Sequence, residues 1–145
     1  QRLADPDSLW GQLDDVPGAD VVITNPQHFA VALVYEMDKE EAPRVVAKGR
    51  NFRATRIRES ANDNAAEIFE APLLARALYF TCDVGMYIPS GLFHAVAQVI
   101  AYVYGLNSVT PDGQRVVRPK PQVPEDLVFD ESGRRQSGSA DAQAL

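Results

Sequence analysis

Residues 19–35 read ADVVITNPQHFAVALVY, and this stretch decides the fold of the chain. Residues 20–24 are rich in β-branched side chains, which predicts a strand. Residues 29–35 are apolar at nearly every position, which is typical of a central strand covered on both faces. The dipeptide Asn25-Pro26 separates the two segments and is typical of a turn. We therefore expect the folded region to begin with two strands and a short loop between them.

Further strands and helices follow this pair. Residues 44–48 predict a third strand closed by Gly49, and residues 67–70 predict a short fourth strand. Helices are predicted over 52–64, from Pro72 to about Cys82, and from a cap at Ser90 to Gly105. The helical residues expected to face the core are Ala54, Ile57, Ala61, Leu92, Val96, Val99 and Val103. Strands alternating with helices predict one α/β sheet packed by helices.

The two ends of the chain differ from this folded unit, which we place at residues 19–106. Asp5 and Pro6 are typical of a helix start, and Leu9, Trp10 and Leu13 would form its apolar stripe, so residues 1–18 are predicted to be a linker helix. Residues 107–145 hold four of the ten prolines and end in a Gly/Ser/Gln/Ala-rich run. We expect a flexible Pro-rich tail there, with VPEDLVF at 123–129 as a possible short docking motif.

Composition restricts the class of protein. A chain of 145 residues with 46% hydrophobic and 23% charged residues is typical of one globular domain. Its single cysteine, Cys82, excludes an internal disulfide framework and any multi-thiolate zinc site. We predict no cofactor and no metal site. The chain has no apolar run of about 20 residues that would span a membrane. It begins with Gln1 rather than Met, and we expect it to be a piece of a longer protein.

Charge is segregated along the chain although the net charge is only −6. Residues 1–41 carry nine acidic and two basic residues, whereas residues 44–58 carry six basic residues and no acidic one. We predict that Arg50, Arg53, Arg56 and Arg58 form a docking surface for an acidic partner, with a solvated helix face as the alternative. We expect no nucleic-acid binding, because the isoelectric point is about 4.8 and no aromatic stacking motif accompanies the arginines.

The Asn25-Pro26 bond is a candidate site for self-cleavage. An asparagine side-chain nitrogen can attack its own carbonyl carbon, close a succinimide ring and expel the next residue's nitrogen. Pro26 restricts Asn25 to extended conformations and supplies a tertiary amide that is more easily distorted. His28 could orient the side-chain amide or relay a proton to the departing nitrogen. Most Asn-Pro pairs are simple turns, in which case His28 would be a structural histidine.

The surrounding sequence resembles the FlhB/YscU/SctU family of type III secretion switch proteins. The segments that carry the resemblance are residues 19–33, APRVVAKG at 42–49, RIRE at 56–59, LARALY at 74–79, Ile88-Pro89, AVAQVIAYVY at 95–104 and VPEDL at 123–127. The last two segments are most similar to the flagellar branch. The resemblance covers about residues 16–106 in order, together with the patch in the tail.

The resemblance implies a small mixed sheet of about four strands with about four helices. It also implies self-cleavage between Asn25 and Pro26, which switches export from rod and hook to filament substrates. The implied partners are other export-gate components such as an FlhA-type cytoplasmic domain, a hook-length control protein and rod or hook substrates. The implied location is the cytoplasmic side of the bacterial inner membrane, reached through an N-terminal membrane half. The protein would not be a turnover enzyme.

One departure from the family pattern affects the site, because Gln27 stands where the family has threonine. Threonine is β-branched and stiffens a turn, whereas glutamine is longer and more flexible. We predict that Asn25, Pro26 and His28 still carry out cleavage, more slowly. Two alternatives stay open: an injectisome switch protein of the same family, or a binding scaffold that no longer cleaves. An unrelated hydrolase is disfavoured, since no Gly-x-Ser-x-Gly elbow is present and Cys82 is interpreted as structural.

Overall fold

The computed structural model describes residues 13–26, 28–36, 42–106 and 118–135. The strands are β1 (Val21–Asn25), β2 (Phe29–Val34), β3 (Arg44–Arg50) and β4 (Ile68–Glu70), and the helices are α1 (Phe52–Asp63), α2 (Pro72–Thr81) and α3 (Phe93–Leu106). Short 3-10 helices cover Leu13–Gly18, Ser90–Leu92 and Glu125–Leu127. The predicted α/β class and the four strands are confirmed.

The four strands form one mixed sheet in the order β3-β2-β1-β4. β1 pairs with β2 and β2 with β3 in antiparallel fashion, whereas β1 and β4 are parallel. A parallel pair needs a crossover connection, and the chain through β2, β3 and α1 supplies it. β1 is therefore an interior strand with a hydrogen-bonded neighbour on each side.

Helices cover both faces of the sheet, so the core has two layers. Since successive side chains of a strand point to opposite faces, alternate residues of β1 and β2 enter different layers. One layer packs α2 and α3 on the sheet and contains Val21, Ile23, Phe29, Val31, Leu33, Leu74, Leu78, Val96, Val99 and Val103. The other packs α1 on the opposite face and contains Val16, Val22, Ala30, Ala32, Ala54, Ile57 and Ala61. The prediction that β2 is covered on both faces is confirmed.

Three predicted boundaries were wrong, each for a local reason. Gly49 does not close β3 but lies inside it, because a glycine there lets the first turn of α1 approach: a Cβ on Gly49 would lie 2.7 Å from the Cβ of Arg53. Ser90 does not cap α3 but opens a 3-10 turn, and α3 begins at Phe93. Gly105 lies within α3, which extends to Leu106.

The N-terminal prediction falls mostly outside the described residues, since only residues 13–18 of the proposed linker helix are described. These form the 3-10 helix Leu13–Gly18, with Pro17 inside it. Proline has no N–H to donate, so it suits a short turn better than a helix interior. Val16 of this turn is fully buried against the α1 layer.

The prediction of a flexible tail from residue 107 onward is corrected for residues 118–135, which pack against the domain. Phe129 is buried in the core, and Val123 and Leu127 pack beside it. Arg118 stacks 4.1 Å from the ring centre of Phe69. Tertiary contacts of this kind override the low local propensity of a proline-rich sequence. Residues 107–117 and 136–145 lie outside the described part of the chain.

Among the described residues, no helix combines the length and the apolar character that crossing a membrane requires.

Candidate functional site

The Asn25-Pro26 bond lies in a tight turn between two neighbouring strands. Asn25 ends β1 and is paired in register with Phe29, the first residue of β2. The backbone N–H of His28 donates a 2.9 Å hydrogen bond to the carbonyl oxygen of Asn25. Asn25 is buried, whereas Pro26 and His28 are exposed. The bond that would break is therefore held at the surface by a residue fixed in the sheet. Gln27 lies outside the described residues.

The side chain of Asn25 is unusual because its amide nitrogen lacks a hydrogen bond. Asn25 is 7% exposed, and its Nδ2 atom has no hydrogen-bond partner within the described part of the structure. A buried donor without a partner costs about 1–3 kcal/mol, so such groups are rare. An amide nitrogen that is not donating to a neighbouring acceptor keeps its freedom to approach its own carbonyl carbon. The arrangement suits the nucleophile of an intramolecular attack.

The turn is supported on both sides by backbone hydrogen bonds. The N–H of Asn51 donates to the carbonyl oxygen of His28 at 2.8 Å, and the N–H of Ala71 donates to Thr24 at 2.9 Å. Asn51 has φ 54° and ψ −116°, a left-handed conformation that is strained for a residue with a side chain. Asn51 is also the N-cap of α1, so the start of that helix is linked directly to the loop.

A second support comes from the C-terminal segment, residues 118–135, which the sequence predicts to be part of a flexible tail. The carboxylate Oε2 of Glu131 lies 3.8 Å from Nε2 of His28. The main-chain carbonyl of Glu131 accepts a 2.7 Å hydrogen bond from Nη2 of Arg50. The sequence contained no signal for this contact, because its residues are far apart in the chain. Asn51 did carry a signal, as an asparagine directly before a predicted helix.

The four arginines predicted to form a docking surface do not all lie on one face, since Arg50 and Arg53 line one groove and Arg56 lines another. The guanidinium of Arg50 lies 4.9 Å from the ring centre of Phe29 and binds the C-terminal segment. Arg58 is half-buried and its Nη2 donates to Thr55, whereas its buried Nε has no hydrogen-bond partner among the described residues. Arg56 is exposed and lies 4.0 Å from Glu59.

Arg53 is half-buried in the first turn of α1 and makes an interaction of its own. It lies on the flank of the helix opposite to Arg58, because α1 turns 100° per residue. The basic block, which is the set of six basic residues at 44–58, is thus divided between β3 and different flanks of α1. Arg53 and Arg56 are neighbours on α1 and stay a candidate contact for a partner.

A half-buried lysine, Lys48, and the buried Cys82 lie where β3 meets the end of α2. Nζ of Lys48 donates to the carbonyls of Tyr79 at 2.7 Å and Cys82 at 3.1 Å, which ties β3 to the end of α2. Burial lowers the pKa of Lys48, and the charge of Asp83 opposes this shift. Burial also raises the pKa of Cys82, so its thiol is a poor nucleophile. This environment is consistent with the structural role predicted for Cys82.

The described residues contain no cluster of three or more His, Cys, Asp or Glu side chains that would hold a metal ion. The reactive groups that the described residues place at the loop are the amide of Asn25 and the exposed imidazole of His28.

Comparison with known proteins identifies relatives of this chain. The model of the FlhB HrpN YscU SpaS family matches residues 11–103. The chain is 47% identical over 119 residues to the flagellar biosynthetic protein FlhB of Salmonella typhimurium, a match that covers 81% of this chain and 31% of that protein. It is 49% identical over 117 residues to FlhB of Escherichia coli K12, covering 79% of this chain and 31% of the relative. The chain thus spans about a third of the length of these relatives.

Solved structures agree in fold. The crystal structure of the cytoplasmic domain of FlhB from Shewanella putrefaciens has a TM-score of 0.72 at 40% identity, covering 84% of this chain and 95% of that domain. A point-mutated C-terminal domain of EscU has a TM-score of 0.61 at 28% identity, covering 63% of this chain and 97% of that domain. The family resemblance and the fold class expected from the sequence are confirmed.

Proposed function

This chain belongs to the FlhB HrpN YscU SpaS family, and on that premise we propose that it is the cytoplasmic switch domain of a flagellar type III export apparatus. In this proposal the domain changes the specificity of export from rod and hook to filament substrates by cleaving itself between Asn25 and Pro26. The observation that supports this most directly is the buried Nδ2 of Asn25, which has no hydrogen-bond partner among the described residues and whose own carbonyl accepts the N–H of His28.

The proposed reaction is asparagine cyclisation. Nδ2 of Asn25 forms a bond to the carbonyl carbon of Asn25, and the carbonyl oxygen becomes negatively charged. The bond from that carbon to the nitrogen of Pro26 then breaks. The proton lost by Nδ2 goes to the departing Pro26 nitrogen, with the imidazole of His28 as the relay. Water later opens the succinimide at the new C-terminus of residue 25.

The loop assists each stage of this reaction. The N–H of His28 is 2.9 Å from the oxygen on which charge develops, so it can stabilise the tetrahedral intermediate as an oxyanion donor. Asn25 is extended because it ends a strand and precedes proline, which limits the conformations to be searched. The hydrogen bonds from Asn51 and Ala71 keep both sides of the turn in place.

The two products would remain associated after cleavage. Residues up to Asn25 contribute β1, whereas β2, β3 and β4 belong to the second fragment. Because β1 is hydrogen-bonded to β2 and to β4, the sheet holds the two fragments together. Cleavage therefore changes the loop while the fold of the domain persists, which suits a conformational switch.

Intact-mass analysis of the purified chain tests the cleavage. We expect two species that correspond to residues 1–25 and 26–145, with the first fragment initially one water lighter while it carries the succinimide. Asn25→Ala removes the nucleophile and serves as the control, because it leaves the backbone of the turn unchanged. A wild-type chain that stays whole after days at neutral pH would contradict the proposal. It would support a non-cleaving scaffold, in which Gln27 at the position of the family's threonine prevents cleavage.

The flagellar assignment rests on the relatives, since the FlhB proteins of Salmonella and Escherichia coli are 47% and 49% identical to this chain. The injectisome alternative has weaker support, because the EscU domain is 28% identical. Expression in a flagellated bacterium that lacks its own FlhB separates the two, with this chain replacing the matching part of the host's FlhB. Restored motility supports the flagellar role, and absence of motility with a correctly inserted fusion contradicts it.

We propose that the domain lies on the cytoplasmic side of the inner membrane and meets an FlhA-type cytoplasmic domain, a hook-length control protein and export substrates. The acidic-partner contact is tested at Arg53 and Arg56, which are neighbours on one side of α1. The double variant R53E/R56E should weaken binding to the FlhA-type domain. K120E/R134E changes the charge equally at exposed positions and is the matched control. Equal loss in both variants would favour a solvated helix face.

A further inference from the structure

The segment Phe129–Arg135 forms a turn with its own internal bonds, and we call it the C-terminal turn. Oδ1 of Asp130 accepts hydrogen bonds from the backbone N–H of Ser132 at 3.0 Å, from its hydroxyl at 2.8 Å and from the N–H of Arg134 at 2.9 Å. Gly133 has φ +91°, a conformation that a residue with a side chain rarely adopts. The backbone of Glu131, which lies between Asp130 and Ser132, is thereby held in place.

The C-terminal turn is fastened to the domain at three points. Nε of Arg76 donates a 2.6 Å hydrogen bond to the carbonyl of Phe129, and Nη2 of Arg50 donates a 2.7 Å bond to the carbonyl of Glu131. Phe129 is buried with its ring centre 5.7 Å from that of Phe80. A Cβ on Gly133 would lie 2.9 Å from the same Phe80 ring, so only glycine fits this contact.

These attachments bring the side chain of Glu131 to the cleavage turn. Its Oε2 lies 3.8 Å from Nε2 of His28, and both side chains are about half exposed. We propose that Glu131 is a positioning residue for His28 in the self-cleavage reaction, and that the C-terminal turn places it there. This inference rests on the proposed function.

The carboxylate of Glu131 affects which ring nitrogen of His28 carries a proton and how the ring is oriented. A negative charge next to Nε2 favours a proton on that nitrogen, which leaves Nδ1 as the nitrogen that can accept one. At 3.8 Å the contact is an ion-pair distance, so the carboxylate biases the orientation of the ring through its charge. His28 would then present one basic nitrogen in a restricted set of orientations when Nδ2 of Asn25 loses its proton.

Glu131→Gln tests this role, because it keeps the size of the side chain and the main-chain carbonyl that binds Arg50 while removing the charge. Glu125→Gln is the matched control, since it removes the same charge from an exposed position in the same segment. A surface ion pair contributes about 0.2–1 kcal/mol, so E131Q should slow cleavage by a factor of roughly 1.4 to 5 relative to E125Q. Glu131→Asp, which keeps the charge, should retain more of the rate than E131Q. The thermal unfolding midpoint of E131Q should match that of E125Q.

A second measurement does not depend on cleavage. In the Asn25→Ala chain, the NMR resonances of the His28 ring should shift on adding E131Q and stay in place on adding E125Q. Unchanged resonances would overturn the contact itself. Shifted resonances with equal cleavage rates for E131Q and E125Q would overturn the positioning role. A wild-type chain that never cleaves would end the proposed function and the positioning role together, while the resonances still decide the contact.

Discussion

The backbone N–H of His28 donates to the carbonyl oxygen of Asn25 at 2.9 Å, while the imidazole of the same residue faces outward toward Glu131. His28 therefore has two separable contributions to the proposed cleavage. The backbone donor stabilises charge on the attacked carbonyl and is present with any residue except proline at this position. The imidazole moves a proton and is removed by truncation.

His28→Ala should slow cleavage without abolishing it, because the backbone N–H remains. Losing general acid–base catalysis should lower the cleavage rate by about 100-fold or somewhat less. Water reaches this exposed site and can transfer part of the protons that the imidazole would carry. His94→Ala is the control, as His94 is the second histidine and lies exposed on α3. Time courses by intact mass give the rates. Equal rates for H28A and H94A would show that the imidazole has no part in the reaction.

Gln27→Thr should accelerate cleavage, because a β-branched residue narrows the conformations of the turn. The expected gain is below about tenfold, since only the population of attack-ready conformers changes. Gln122→Thr makes the same replacement at an exposed position of the C-terminal segment and should leave the rate unchanged. A Q27T rate that equals that of the parent chain would mean that the turn is already fixed by its flanking strands.

Gly49→Ala should destabilise the domain by about 1–3 kcal/mol, the usual cost of overpacking. The added Cβ would lie 2.7 Å from the Cβ of Arg53 and 3.0 Å from its carbonyl carbon, so β3 and α1 would have to separate. Gly18→Ala is the control, because nothing lies within 4 Å of a Cβ at that position. Urea unfolding of both variants in the Asn25→Ala background gives the comparison. Similar free energies of unfolding for the two would contradict this packing.

Tyr104 should make the domain sensitive to alkaline pH. Its hydroxyl donates a 2.9 Å hydrogen bond to Asp20, and burial together with this carboxylate raises the pKa of Tyr104 from 10.0 to about 12. The folded state thus holds the phenol proton more tightly than the unfolded state. This stabilisation is complete below pH 10 and is lost as the pH rises toward 12.

The corresponding experiment compares the free energy of unfolding at about pH 7.5 and about pH 11 for Tyr104→Phe and for Tyr102→Phe. Tyr102→Phe removes another phenol from α3 and keeps the ring that packs on Phe69. The loss between the two pH values should be smaller in Y104F than in Y102F. The same loss in both variants would show that the bond to Asp20 does not contribute.

The sequence predicted the parts of this fold that depend on local patterns. The run Phe29–Val34 is apolar on both faces and forms a strand covered by helices on both sides. Ala54, Ile57 and Ala61 recur with helical spacing and form the buried face of α1. Pro72 begins α2, as its fixed φ and missing N–H favour. Hydrophobic periodicity and the local chemistry of proline are sufficient to predict such features.

The parts that were missed depend on contacts between distant residues. Gly49 is a helix and strand breaker by propensity, yet here its lack of a Cβ permits close approach of α1 to β3. The segment with Phe129 is rich in proline and charge, and it is ordered because Arg50 and Arg76 bind its carbonyls. The position of Arg50 explains why the basic block could not be interpreted as one surface from charge alone.

The interior position of β1 also has a mechanical consequence. A pull directed along β1 loads the ladders to β2 and β4 in shear, where their hydrogen bonds resist together rather than one after another. If the Asn25-Pro26 bond is cut, the hydrogen bonds of β1 with β2 and β4 carry the force across the cut. An uncut domain stretches but cannot come apart, whereas a cut domain can be released in one step when β1 slips out. Cleavage would thus replace a covalent bond by strand pairing that separates above a certain force.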